Sequence, residues 1–177
     1  MPTKNFSSIG GFAVGSTEIV NTSYELKNIS AIHMVSDNFA DATHDKYLVK
    51  RVTDSANNTL QLTLDGTTAL TTNTPALAAD RVSFVKARVF GQETTSNQYV
   101  YATTFDIIVT TANDGTPTVA SNFENIIRNN PPGQETWSVT PDAFLIGASP
   151  FFTFEVKSVT TNSTVKWIGI LDITVVS

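Results

Sequence analysis

The sequence FFTFEVKSVT at residues 151–160, followed after three polar residues by TVKWIGILDITVV at residues 164–176, decides how the chain is read. In the second arm Val165, Trp167, Leu171, Ile173 and Val175 take alternate positions, a pattern broken only at Gly169. In the first arm Phe152, Phe154 and Val156 share one parity. Period-two alternation sets one face of a strand against a core. The link Thr161-Asn162-Ser163 has the composition of a hairpin connection. The stretch therefore predicts the terminal hairpin of a β-sandwich.

Upstream, the same signal recurs between turn residues. Tyr47 to Val52 reads as a strand, and Leu60, Leu62 and Leu64 alternate up to the turn Asp65-Gly66. Residues 71–80 read as a loop, since Pro75 cannot sit in a central strand. Val85, Ala87 and Val89 share one face of the next strand, with Lys86 and Arg88 on the other. Tyr99, Tyr101, Phe105, Ile107 and Val109 line one face of a longer strand that ends at Asn113-Asp114-Gly115. Phe123, Ile126 and Ile127 fit one helical turn or an irregular strand equally, and Trp137 and Val139 open a short strand. Short strands at regular spacing, with no long helical stretch, give an all-β antiparallel sandwich, with a jelly roll as the expected form. Residues 46–177 form that domain. Residues 1–45 are less regular and read either as a leader that packs on a partner or as extra strands of the same sandwich.

Composition agrees. The chain of 177 residues contains 27 threonines, only 15% charged residues and no cysteine. The length suffices for one domain with a real core, and threonine suits pleated strands. A net charge of −5 argues against nucleic acid, which demands a basic face. The absence of cysteine removes disulfides and thiolate metal sites. No run approaches the roughly 18–20 apolar residues of a membrane span, and no signal-like run follows Met1, so synthesis in a cytoplasm without membrane contact is expected.

Candidate chemistry is sparse. His33, Asp37, Asp41, His44 and Asp45 are the densest metal-capable set, but their spacing matches no recognised site and the segment lacks helical patterning. Asp65-Gly66 and Asn113-Asp114-Gly115 are oxygen-rich turns without the repeated acidic pattern of a calcium loop. Glu93, Asp106, Glu135, Asp142 and Glu155 are scattered, and both histidines lie in the irregular leader. No nucleophile elbow or phosphate-cradling loop occurs. Trp137, Trp167, Tyr99 and Tyr101 could offer a sugar-stacking platform, but three of the four already sit on inward parities. The expectation is a non-enzymatic protein, with no catalytic, cofactor-binding or metal residue assigned and no cofactor.

The order of landmarks from Tyr47 to Val176 resembles a module recurrent in tail-fibre-like and other virion surface proteins of tailed bacteriophages. The matching features are Leu62-Thr63-Leu64-Asp65-Gly66, a threonine-rich loop and Phe84-Val85-Lys86-Ala87-Arg88-Val89. They continue with a polar loop at Asn97, the strand Tyr101 to Val109, Trp137-Ser138-Val139, the acidic Asp142 and Phe154-Glu155-Val156. The closing tryptophan strand is similar to Trp167 through Val176. The chain departs where the family often has glycine before the last turn, here Ser158 to Asn162, and where Trp-Val-Ala becomes Trp167-Ile168-Gly169. Residues 1–45 have no match. The resemblance implies a virion protein made in the host cytoplasm. The role expected from it is a capsid decoration, or cement, protein that binds the major capsid protein and stabilises the assembled shell. The alternative is a tail or fibre tip that contacts tail proteins and a host glycan or receptor. A homo-oligomer, with a trimer preferred, is expected in the first case.

Overall fold

Two antiparallel sheets face one another across the side chains that alternation assigns inward. The computed structural model describes residues 12–14, 17–20, 29–36, 39–54, 59–132, 135–158 and 164–176. The chain divides into two units, residues 1–30 and 31–177. The first contains β1 (Phe12–Val14) and β2 (Thr17–Val20), paired antiparallel. Gly10-Gly11 and Gly15-Ser16, glycine-bearing pairs that signal a loop in the sequence, lie outside the described residues.

The second unit carries β3 (Ala31–Ser36), β4 (Phe39–Thr53), β5 (Thr59–Gln61), β6 (Arg81–Glu93) and β7 (Val100–Thr111). It continues with β8 (Pro117–Asn130), β9 (Trp137–Ile146), β10 (Ser149–Ser158) and β11 (Val165–Val176). A large sheet runs β3-β4-β11-β6-β7-β8 and a small one β5-β10-β9. Every described element is a strand, and the protein is an all-β antiparallel sandwich. The six-and-three distribution differs from the eight strands and two Greek keys of a jelly roll. The division at residue 45 falls inside β4, whose pairing with β11 runs unbroken from Thr53 to Ala42. Residues 31–36 add β3 alongside it.

The terminal hairpin does not form. β10 pairs with β9 and β5, whereas β11 lies between β4 and β6, so residues 151–176 cross from one sheet to the other. The two arms still face the same core, but from opposite sides. Alternation reports which face of a strand is buried and carries no information on which strand lies beside it. β10 also buries Phe151 and Thr153 on its second face, as befits the central strand of its own sheet. Pro141 is accommodated because β9 is an edge strand bonded only to β10.

The Phe123–Arg128 segment is strand. Thr103 pairs with Ile126 and Ala102 with Arg128, so Ile127 is an inserted residue. That bulge breaks period two and imitates a helical spacing.

The core is fastened at Trp167, which is 2% exposed. Its ring lies over Gly91, where a Cβ would fall 2.5 Å from the indole. Trp137, on the opposite sheet, meets it edge to face at 5.9 Å, and Tyr101 lies at 6.1 Å. The indole Nε1–H donates to Thr53 Oγ1 at 2.9 Å, and that hydroxyl shares a 2.7 Å bond with Ser158 Oγ on β10. Apolar contact and a buried hydrogen-bond chain therefore both cross between the sheets.

Three substitutions should separate these contributions in urea unfolding. Trp167→Ala is expected to cost about 3–5 kcal/mol through cavity formation. Gly91→Ala should cost about 1–3 kcal/mol by overpacking, and Thr53→Val about 1–3 kcal/mol by leaving the indole N–H unpaired.

Candidate functional site

Strands of the large sheet are apolar on both faces. Inward stand Val85, Ala87 and Val89 on β6 and Leu171, Ile173 and Val175 on β11, all buried. Outward on the same strands stand Val82, Phe84, Phe90, Ile168, Ile170 and Val176, all substantially exposed. Leu48 and Val52 extend this outer surface onto β4, Ile32 and Met34 onto β3, and Phe123 onto β8, where it is 65% exposed. A monomer seldom leaves so many large apolar groups on one contiguous face.

Charges on this face are arranged in register. Lys46, Asp172, Lys86 and Asp106 are successive cross-strand partners on β4, β11, β6 and β7. Lys46 Nζ lies 2.8 Å from Asp172 Oδ1, and Lys86 Nζ 3.9 Å from Asp106 Oδ1. The Lys86 ammonium also sits 5.8 Å from the Phe84 ring. Two rows further along the strands, a cavity of about 510 Å³ opens. Phe90, Ile168 and Val52 contribute its apolar lining, and Lys50, Arg51 and Lys166 its cations.

The turn Asp65-Gly66 forms one wall of that cavity. Gly66 takes φ +81°, which an L side chain rarely tolerates. Asp65 Oδ1 accepts from Thr67 N at 2.9 Å, Thr67 Oγ1 at 2.8 Å, Asn73 Nδ2 at 3.0 Å and Thr63 Oγ1 at 3.1 Å. These donors, led by the Thr67 backbone N–H, hold the Asp65 carboxyl well below the usual carboxylate range. Arg51 Nη1 donates to the Gly66 carbonyl at 3.3 Å, tying the loop to β4.

The metal-capable set is drawn into sheet pairing instead of a common centre. His33 Nδ1 hydrogen-bonds Asp45 Oδ1 across β3 and β4. His44 Nδ1 meets Thr174 Oγ1 at 2.9 Å, and its Nε2 lies 3.5 Å from Asp172. Asp37 lies outside the described residues, as does the Asp41 side chain. Among the described residues no group of three His, Asp, Glu or Cys side chains could hold a metal ion. Trp137, Trp167 and Tyr101 are in the core and Tyr99 packs half-buried against it, so they form no exposed stacking platform.

Two carboxylates do become neighbours. Asp142 and Glu155 stand on the adjacent strands β9 and β10, where burial and then the Asp142 charge push the Glu155 carboxyl upward. Gln61 Nε2 donates to Asp142 Oδ2 at 2.8 Å.

No family model matches the sequence, and no curated protein matches it. Among solved structures, the fold is similar to the tailspike protein gp49 from Acinetobacter baumannii bacteriophage Fri1, a capsular polysaccharide depolymerase. The TM-score is 0.43 with 16% identity over 82% of this chain. The match spans 19% of the tailspike's length.

The Asp65 hydrogen bonds set a sign for acid sensitivity. A carboxyl depressed in the folded state contributes stability that is present above the ordinary carboxylate range and lost as pH falls through the folded value. Asp65→Asn should therefore lower stability at neutral pH. The difference from the wild type should shrink as pH is lowered from about 5 towards 2, as measured by urea midpoints across that range.

Proposed function

We propose that this protein is a non-enzymatic structural component of a tailed-phage virion, a capsid decoration protein that binds and stabilises the assembled shell. The observation that carries the reading is the outer face of the large sheet, whose exposed Phe84, Phe90, Ile168, Ile170 and Leu48 suit a subunit that works inside an assembly. The landmarks from Tyr47 to Val176, similar to phage virion surface modules, supply the kind of assembly.

Several of the candidate side chains serve the fold itself. The tryptophans are committed to the core, His33 and His44 to cross-strand bonds, and Asp65 to its own turn. Stabilisation of a shell then follows from mass action. A protein that binds only the assembled state favours it by RT ln(1 + [L]/Kd), about 2.7 kcal/mol at a hundredfold excess over Kd. The polar loops and the residues before β3 provide hydrogen-bonding groups for a wet contact with capsid subunits. Removing residues 1–30 would test the leader while leaving β3 and β4 whole, which a cut at residue 45 would not.

One observation favours the alternative, a tail or fibre tip that binds a host glycan. The 510 Å³ cavity sets Lys50, Arg51 and Lys166 around apolar groups, a combination able to take an acidic sugar.

Cryo-electron microscopy of particles carrying the labelled protein should show density on the capsid. Expanded shells lacking the protein should gain several degrees of thermal stability when it is added. Density confined to the tail, together with acidic-glycan binding abolished by Lys166→Ala, would establish the alternative instead.

A further inference from the structure

We propose that the outer face of the large sheet pairs with the same face of a second copy, about a two-fold axis running along the strands between β11 and β6. This rests on reading that face as an assembly surface and names its occupant.

The first ground is charge. Across the six strands, one row reads Ile32, Lys46, Asp172, Lys86, Asp106, Phe123. In character it is apolar, positive, negative, positive, negative, apolar. The axis lies at the middle of this row, because β11 and β6 are the third and fourth strands of the sheet. A half-turn about it reverses the row. Lys46 then faces Asp106 of the second copy, Asp172 faces Lys86, and Ile32 faces Phe123. Every charge meets its opposite, and the two apolar ends meet each other. A row with like charges at two positions equidistant from its centre would repel its own copy.

Neighbouring rows obey the same rule. Thr63, Lys50, Ile168, Phe90, Ala102 and Arg128 form one, and reversal sets Ile168 against Phe90, Lys50 against Ala102 and Arg128 against Thr63. Leu48, Ile170, Arg88 and Thr104 form another, and reversal sets Arg88 against Ile170. No cation of these rows meets a cation.

Shape gives the second ground. A hollow of about 210 Å³ runs across the axis from β11 to β7, lined by Ile168, Ile170, Arg88, Phe90, Ala102 and Thr104. It exists because β7 presents the small Ala102 and Thr104 outward. The half-turn places Leu48 of the second copy opposite Thr104, over this hollow. A uniformly twisted sheet is a saddle, and a half-turn about an axis along its strands regenerates the same saddle, so the two surfaces nest. Such pairing also covers Phe90 and Ile168, part of the lining of the cation-rimmed cavity.

Sedimentation equilibrium tests the pairing. The wild type should behave as a dimer of two 19.1 kDa chains at micromolar concentration. Lys46→Asp and Asp106→Lys should each weaken the dimer at least tenfold, since each sets like charges together twice per dimer. Mixed in equal amounts, the two variants should recover a heterodimer, because Asp at 46 of one then faces Lys at 106 of the other. Residues 46 and 106 lie on strands separated by β11 and β6, so no contact within one chain can account for that recovery. Should a variant fail to fold, a zero-length carbodiimide cross-link between Lys46 and Asp106 in the wild type is the expected sign. A monomeric or trimeric wild type, an unrestored mixture, or absence of that cross-link in a dimer would overturn the proposal. A monomeric wild type that still binds expanded shells would leave the assembly reading standing; one that binds none would remove both.

Discussion

The approach of Trp167 to the backbone of Gly91 is the constraint on which the sandwich depends. Only a residue without Cβ lets an indole lie flat against β6, and only that depth brings the ring within reach of Trp137 on the facing sheet. At the same depth the indole N–H finds Thr53, and through it Ser158. One side chain thereby touches β4, β6 and β7 in its own sheet and β9 in the other, and reaches β10 through the Thr53 hydroxyl. The arrangement joins nondirectional burial to directional bonding. Burial draws the sheets together, and the hydrogen-bond chain fixes where along the strands they meet, because an unpaired indole N–H in the interior is costly.

Much of this interior is legible in the sequence. Odd-numbered residues from Val85 to Val89, from Tyr101 to Val109 and from Val165 to Val175 alternate cleanly, and the structure buries them. Pairing is a different matter. Nothing in Thr161-Asn162-Ser163 distinguishes a turn back along the same sheet from a step to the opposite one, and the step is what occurs. Likewise the spacing of Phe123, Ile126 and Ile127 carries a bulge that only the partner strand reveals.

The candidate site was legible in part, on the parity that core reading sets aside. Phe84, Phe90, Ile168 and Ile170 share the outward parity with Lys86 and Arg88, so β6 and β11 read as apolar on both parities. The charge row could not be read in advance, because Lys46 and Asp106 become related only through two intervening strands. The Asp65-Gly66 turn signal was local and visible. Asn73, which supplies a side-chain donor to it from eight residues away, was not.

The place of β11 has a consequence for how the chain is made. β4 and β6 flank it, so the large sheet exists as two halves, β3-β4 and β6-β7-β8, until the last described strand arrives between them. The partners Ala42 and Val176 are far apart in the sequence, and such distant pairing is slow to form. During translation both halves therefore wait with an open edge beside β11's future position, where strands are prone to recruit the wrong neighbour. β11 is a keystone in time as well as in space: until residues 165–176 are made, the two halves of the large sheet share no strand and meet only through the core they pack on, as where Phe105 and Thr53 reach Phe154 and Ser158 of β10.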